Sequence, residues 1–190
     1  MHHDEFDGTR CPGRQGRFRK SWLAGAALIV AVGVGVTGCA TTETPQSSSQ
    51  GAAAGATAEA FTAQTAAGAQ VAVPGSKPSV LFFFSIECGA CGPFTKALAE
   101  VQQSAPEAAN YVAVDVASYE TAPEVEAFLT GNEASSLAYT VDTDASLITA
   151  HQINQLETTV VLDASGTEVF RSVAPSVAQI RDALTEAAAQ

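Results

Sequence analysis

The stretch Pro78-Ser79-Val80-Leu81-Phe82-Phe83-Phe84-Ser85-Ile86-Glu87-Cys88-Gly89-Ala90-Cys91-Gly92-Pro93 decides the fold. Its first half is a continuous apolar run of strand length, of the kind buried on both faces of a sheet. Two cysteines follow at once, and after them Phe94, Ala97, Leu98 and Val101 recur at helical spacing. Pro93 falls in the first turn of that helix, where a missing N–H costs nothing, and Ser104-Ala105-Pro106 ends it. The pair therefore stands where a buried strand meets a helix N-terminus. Unpaired N–H groups and the helix dipole favour a thiolate there. Cys88, ahead of the helix, is the expected attacking thiol. Cys91, one turn in and more buried, is placed to resolve a mixed disulfide.

Downstream, the chain alternates. Tyr111–Val116 reads as a second strand, and Pro123–Thr130 as a helix with Val125, Phe128 and Leu129 on one face. Leu137–Val141 reads as a short strand, and Asp144 caps a brief helix carrying Leu147 and Ile148. Thr158–Leu162 and Glu168–Arg171 form strands joined at Asp163-Ala164-Ser165-Gly166, a hairpin signal. Pro175-Ser176 opens a last helix with Val177, Ile180 and Leu184 in register. The expected architecture is α/β, a central mixed β-sheet flanked by helices on both faces.

The 190 residues suffice for one ordinary domain, and the 46% hydrophobic and 15% charged content suits a globular one. Formal net charge is −11, which sets aside general nucleic-acid binding. Charge is also uneven: after Cys39 the chain holds four of its nine Lys and Arg but seventeen of its twenty Asp and Glu. Such asymmetry separates a processed head from a working domain. Arg10–Lys20 form a basic n-region and Trp22–Val36 an apolar h-region, short for a bilayer span of ~20 residues.

That segment closes on Val36-Thr37-Gly38-Cys39, which resembles the bacterial lipoprotein signal. The resemblance implies cleavage before Cys39 and a lipid on its sulfur, with two acyl chains giving stable anchoring. An uncleaved transmembrane helix is the alternative. Either way the body is expected outside the cytoplasmic membrane. The resulting division is a signal peptide over 1–38, an anchored flexible linker over 39–70, and a domain over 71–190. The linker reading rests on Ala, Thr, Ser, Gln and Gly with almost no large apolar residues.

Of the four cysteines, Cys11 leaves with the signal and Cys39 takes the lipid. The remaining pair could be a redox centre, half of a metal site or a structural clip. Zinc needs four ligands and the mature chain offers one histidine, His151, with no second CxxC. Copper would draw on methionine, and the only one is Met1. A disulfide across two residues closes too small a loop to stabilise much. The redox reading carries most weight, and no cofactor is implied.

The order of elements, with a CxxC at the first helix, resembles the thioredoxin fold, and the tether resembles its redoxin or TlpA-like branch. Its most specific pieces are Phe82–Pro93 and Leu156–Asp163. The resemblance implies a thiol–disulfide oxidoreductase with Cys88 as nucleophile and Cys91 as resolving thiol. It further implies protein thiols or disulfides as clients, secreted proteins or apocytochromes among them. A membrane electron carrier of the CcdA/DsbD kind would reset the pair.

Three departures stand out. Glu87 replaces the family's Trp before the first cysteine, and a neighbouring carboxylate disfavours thiolate. Phe82 occupies the place of the buried Asp of thioredoxins proper, so proton assistance at the second cysteine is absent or comes from another group. Glu157 stands where the family carries a cis-proline before Thr158-Thr159. A cis bond before a non-proline residue costs ~2.5–4 kcal/mol, so a trans or locally rearranged peptide is expected. Glu157 is then either a proton acceptor beside the cysteines or an exposed loop glutamate. His151 reads as a core or surface histidine rather than a base. Two rival functions remain: a redoxin-type thiol peroxidase, for which only Arg171 and Arg181 are available, and a binding module with little redox activity.

Overall fold

The computed structural model describes residues 58–190. The signal peptide, Cys39 and the N-terminal part of the expected linker lie outside the described residues. A seven-stranded sheet has the order β2-β1-β5-β4-β3-β6-β7. The strands are β1 (Phe61–Gln64), β2 (Gln70–Val73), β3 (Ser79–Phe84), β4 (Asn110–Asp115), β5 (Ala138–Val141), β6 (Thr158–Leu162) and β7 (Glu168–Val173). The helices are α1 (Cys91–Ser104), α2 (Ala122–Gly131), α3 (Ser146–Ala150) and α4 (Val177–Ala187). β3 runs parallel to β4 and antiparallel to β6, so the strand that feeds the cysteines is internal.

All six residues of β3 are buried, as a run apolar on both faces demands. Alternation divides them. Val80, Phe82 and Phe84 join Leu98 and Val101 of α1, Val125 and Leu129 of α2 and Ile180 and Leu184 of α4. Leu81 and Phe83 pack on the other face with Val112, Val114, Val160 and Leu147 of α3. Helices thus cover both faces, as the alternating pattern requires.

The expected domain start at 71 is corrected by β1. Phe61–Gln64 pairs antiparallel with Gln70–Val73, and Gln64 also pairs with Tyr139 of β5. Ala63 is fully buried, and Gln64 Nε2 donates to the Tyr139 hydroxyl at 2.7 Å. The hairpin turns at Gly68, whose φ of 80° lies in the left-handed region. Composition hid this strand because backbone pairing, not an apolar run, holds an edge hairpin.

The first turn of α3 is capped by two aspartates. Asp144 accepts from Ser146 N at 3.1 Å, as expected. Asp142, not foreseen, accepts from Leu147 N at 3.1 Å and Ile148 N at 2.9 Å. The last helix begins as expected at Ser176, whose hydroxyl accepts from Gln179 N while the Gln179 side chain answers Ser176 N.

Candidate functional site

Leaving β3, the chain makes two tight turns: Cys88 N donates to Ser85 O at 3.1 Å, and Cys91 N donates to Cys88 O at 3.0 Å. These turns bring the two cysteines to a Cα separation of 5.3 Å, joined as a disulfide. Cys91 is the first residue of α1 and is fully buried, whereas Cys88 is partly exposed. The expected asymmetry between an accessible and a covered sulfur is therefore built in. Phe82 is fully buried, with its ring stacked 4.4 Å from that of Phe94. No carboxylate stands at that position.

The peptide before Glu157 is trans, with a rearranged backbone: Glu157 has φ 63°. Two hydrogen bonds hold it there, Glu157 N to Phe83 O and Ala174 N to Glu157 O, both 2.9 Å. Proline could make neither that φ nor the first bond. Glu157 is brought to one groove with Ala90 and Pro93, which flank Cys91. The groove measures about 350 Å³ and is otherwise walled by apolar groups such as Phe94, Leu98, Val177 and Ile180.

Glu87 is exposed and accepts from the Tyr119 hydroxyl at 3.0 Å. That bond is the main cause of a raised Tyr119 pKa. His151 lies on the opposite sheet face from Cys91, its ring centroid 5.6 Å from that of Phe83. Burial lowers its pKa, and its Nε2 has no partner. It is a core histidine. Arg171 binds Glu168, and Arg181 reaches Ser104 at 3.4 Å, so neither lines the groove beside the cysteines.

Sequence reasoning missed two acids. Asp115, the last residue of β4, is fully buried, and Glu120 is 5% exposed. Glu120 accepts from Ser85 Oγ at 2.8 Å and from Ile86 N at 3.0 Å, on the loop that leads to Cys88. Asp115 Oδ1 accepts from Ala117 N at 3.0 Å. Burial, reinforced by the adjoining Glu120, pushes the Asp115 carboxyl up to about 7. An acid that closes an apolar strand and faces another acid five residues on was the available signal.

The comparisons agree with this geometry. Residues 75–168 match the thioredoxin-like family. The product described as mercury resistance operon ORF3 of Streptomyces lividans is 39% identical over 122 residues, 63% of this chain and 65% of that relative. The chain thus spans just under two thirds of that relative's length. StoA from Bacillus subtilis superposes with a TM-score of 0.59 at 19% identity, covering 69% of this chain and 99% of StoA. A secreted Mycobacterium tuberculosis disulfide oxidoreductase homologous to DsbE gives a TM-score of 0.54 at 20% identity, covering 66% and 95%. With its mixed sheet, its cysteine pair opening α1 and its matched central segment, the chain has a thioredoxin-like fold.

Proposed function

We propose that the protein is a thiol–disulfide oxidoreductase that exchanges disulfides with other proteins through Cys88 and Cys91. The observation that carries this reading is the pair itself, one sulfur accessible and one covered, at a helix N-terminus beside an apolar groove. In the reducing direction, Cys88 thiolate attacks a client disulfide and one client thiolate leaves. Cys91 then gives up its proton and attacks the Cys88 sulfur, releasing the second client thiolate. The client gains two electrons and the protein is left as the disulfide. A membrane electron carrier of the CcdA/DsbD kind returns the two electrons. The groove receives the client chain, with Glu157 at its edge as a proton acceptor. Lipidation of Cys39 would hold the domain at the outer face of the membrane. Supporting that placement are the lipoprotein-like segment ahead of it and the secreted relative. Among the described residues no helix is long and apolar enough to cross a membrane.

The deciding experiment equilibrates the protein with defined thiol buffers. A potential near the roughly −270 mV of thioredoxin means a reductant, and one near roughly −120 mV a donor of disulfides. Failure to cycle reversibly rejects the reading. Cys91→Ser is expected to accumulate clients as mixed disulfides on Cys88, and Cys88→Ser to accumulate none. Glu157→Gln tests the proton acceptor: an unchanged pH dependence of exchange removes that role. The mass of the membrane form tests the anchor, since an intact Met1 start with unmodified Cys39 excludes it.

A second reading is favoured by the mercury-resistance relative. The reduced pair would offer two soft thiolates, and among the described residues no cluster of three or more His, Cys, Asp or Glu surrounds it. Two sulfurs suit a thiophilic cation that takes two ligands, such as mercuric ion, with release of two protons. Titration of the reduced protein with mercuric ion, against Cys88→Ser, tests it. Equal binding by both forms rejects it.

A further inference from the structure

The strand that leads into the cysteines carries Phe82 where thioredoxins proper carry a buried acid, yet a buried acid pair lies one strand away. Tyr111 and Ala113 of β4 pack in the same cluster as Phe82 and Cys91. Alternation along β4 places Asp115 on that face. Its Oδ2 is buried and has no donor. A carboxylate oxygen in that state carries a large desolvation cost unless a proton reaches it. The neighbouring buried group is Glu120, another carboxyl, and a bond between two carboxyls would require a proton on one of them. Glu120 in turn holds Ser85 Oγ and Ile86 N, while Ser85 O accepts from Cys88 N. Glu120 therefore holds, by two hydrogen bonds, the loop whose Ser85 carbonyl accepts from the attacking cysteine.

We propose that Asp115 and Glu120 share one proton beneath the loop carrying Cys88 and act as positioning groups for thiol exchange. With the proton held, the pair carries one negative charge and fixes the loop through Ser85 and Ile86. With the proton lost, two adjacent negative charges repel, loosen that hold and disfavour thiolate at the cysteines. The charged groups facing Asp115 are Glu120 and, from α2, Glu124. Tyr119, whose hydroxyl donates to Glu87, lies close enough to feel both acids, and none of these groups is a cation. Nothing in this set offsets the second charge, so exchange weakens as the shared proton leaves. The proposal rests on Cys88 and Cys91 acting as a redox pair and adds to it the group that makes that pair pH-sensitive.

The test measures the alkylation rate of Cys88 by iodoacetamide in the reduced full-length protein from pH 5 to 9. Wild type is expected to show an inflection near 7 in addition to the ionisation of the thiol. Asp115→Asn supplies a permanent donor to Glu120, and Glu120→Gln one to Asp115, so each removes the inflection. Cys88 then reacts faster at pH 8 than in wild type by roughly three- to tenfold. Profiles of both variants identical to wild type overturn the proposal. Infrared titration of the wild-type chain provides a readout that needs no variant. A protonated carboxyl band should persist at pH 6, vanish around pH 7, and be missing in Asp115→Asn; its absence at pH 6 in wild type overturns the proposal. Alkylation and infrared spectra read the pair whether or not clients are turned over. A failed oxidoreductase assay therefore remains distinguishable from a failed proton pair.

Discussion

Asp115→Asn should make the folded protein more stable at neutral and alkaline pH and leave it nearly unchanged in acid. In the unfolded chain an aspartate ionises near 3.8, whereas in the fold Asp115 keeps its proton up to about 7. Between those values the folded state binds more protons than the unfolded one, so stability falls as pH rises and levels off above the folded value. Each pH unit is worth about 1.4 kcal/mol for one proton, so some three units set an upper limit of about 4 kcal/mol. Asparagine is isosteric, does not ionise, and donates to Glu120 where the shared proton stood. The expected gain at pH 8 is therefore about 2–4 kcal/mol, falling towards zero at pH 4. For a domain of this size that is on the order of 10 °C in Tm at pH 8. The assay is urea unfolding of both oxidised proteins at five pH values between 4 and 8. A difference that is constant with pH, or absent at pH 8, would refute the argument that burial of this carboxyl holds a proton.

Glu157→Pro places the family's residue in a backbone at φ 63° and removes the donor to Phe83 O, so it should destabilise by roughly 2–4 kcal/mol. Glu157→Gly should stabilise by about 1 kcal/mol, since glycine adopts that φ freely, and urea midpoints of the two variants check both signs. A Cβ at Gly92 would sit 2.5 Å from Asn132 Oδ1, and Asn132 donates to Phe128 O at 2.8 Å at the end of α2. Gly92→Ala is therefore expected to cost about 1–2 kcal/mol, and adding Asn132→Ala should recover most of it in a double-mutant cycle. His151, 5% exposed with a lowered pKa, should destabilise the fold as pH falls below 6.5, levelling off beneath its folded value. His151→Leu should flatten that part of the stability profile, as denaturant titrations at pH 5 and 7 can show.

Glu157 is held in the left-handed region by Phe83 and Ala174. The backbone at that position still pairs on both sides, so the groove keeps its floor without proline. Acidity near the cysteines meanwhile comes from three directions: Glu87 at the surface, Glu157 in the groove, and the buried Asp115 and Glu120. Their separate exposures let them act differently. Water screens Glu87, whereas the buried pair is screened far less.

The β3–CxxC–α1 unit, the helix stripes, the β6–β7 hairpin and the Ser176 cap were legible because each is written in neighbouring residues. A run apolar on every position can only be an internal strand, and a helical stripe has to bury its face. The burial of Cys91 relative to Cys88 follows from the same local geometry. The edge hairpin at Phe61–Val73 was not legible, because its stability comes from pairing with a strand some seventy-five residues away in the chain. Nor was the left-handed turn at Glu157, which Phe83 and Ala174 impose from two other segments. The Asp115–Glu120 pair is the clearest case. Two ordinary acids in sequence become one proton-binding unit only when the end of β4 is laid against the Ser85 loop and water is excluded from both. Sequence by itself determined which residues are apolar, which can pair and where helices begin; the tertiary structure alone decided which polar groups lose water, because desolvation depends on distant neighbours.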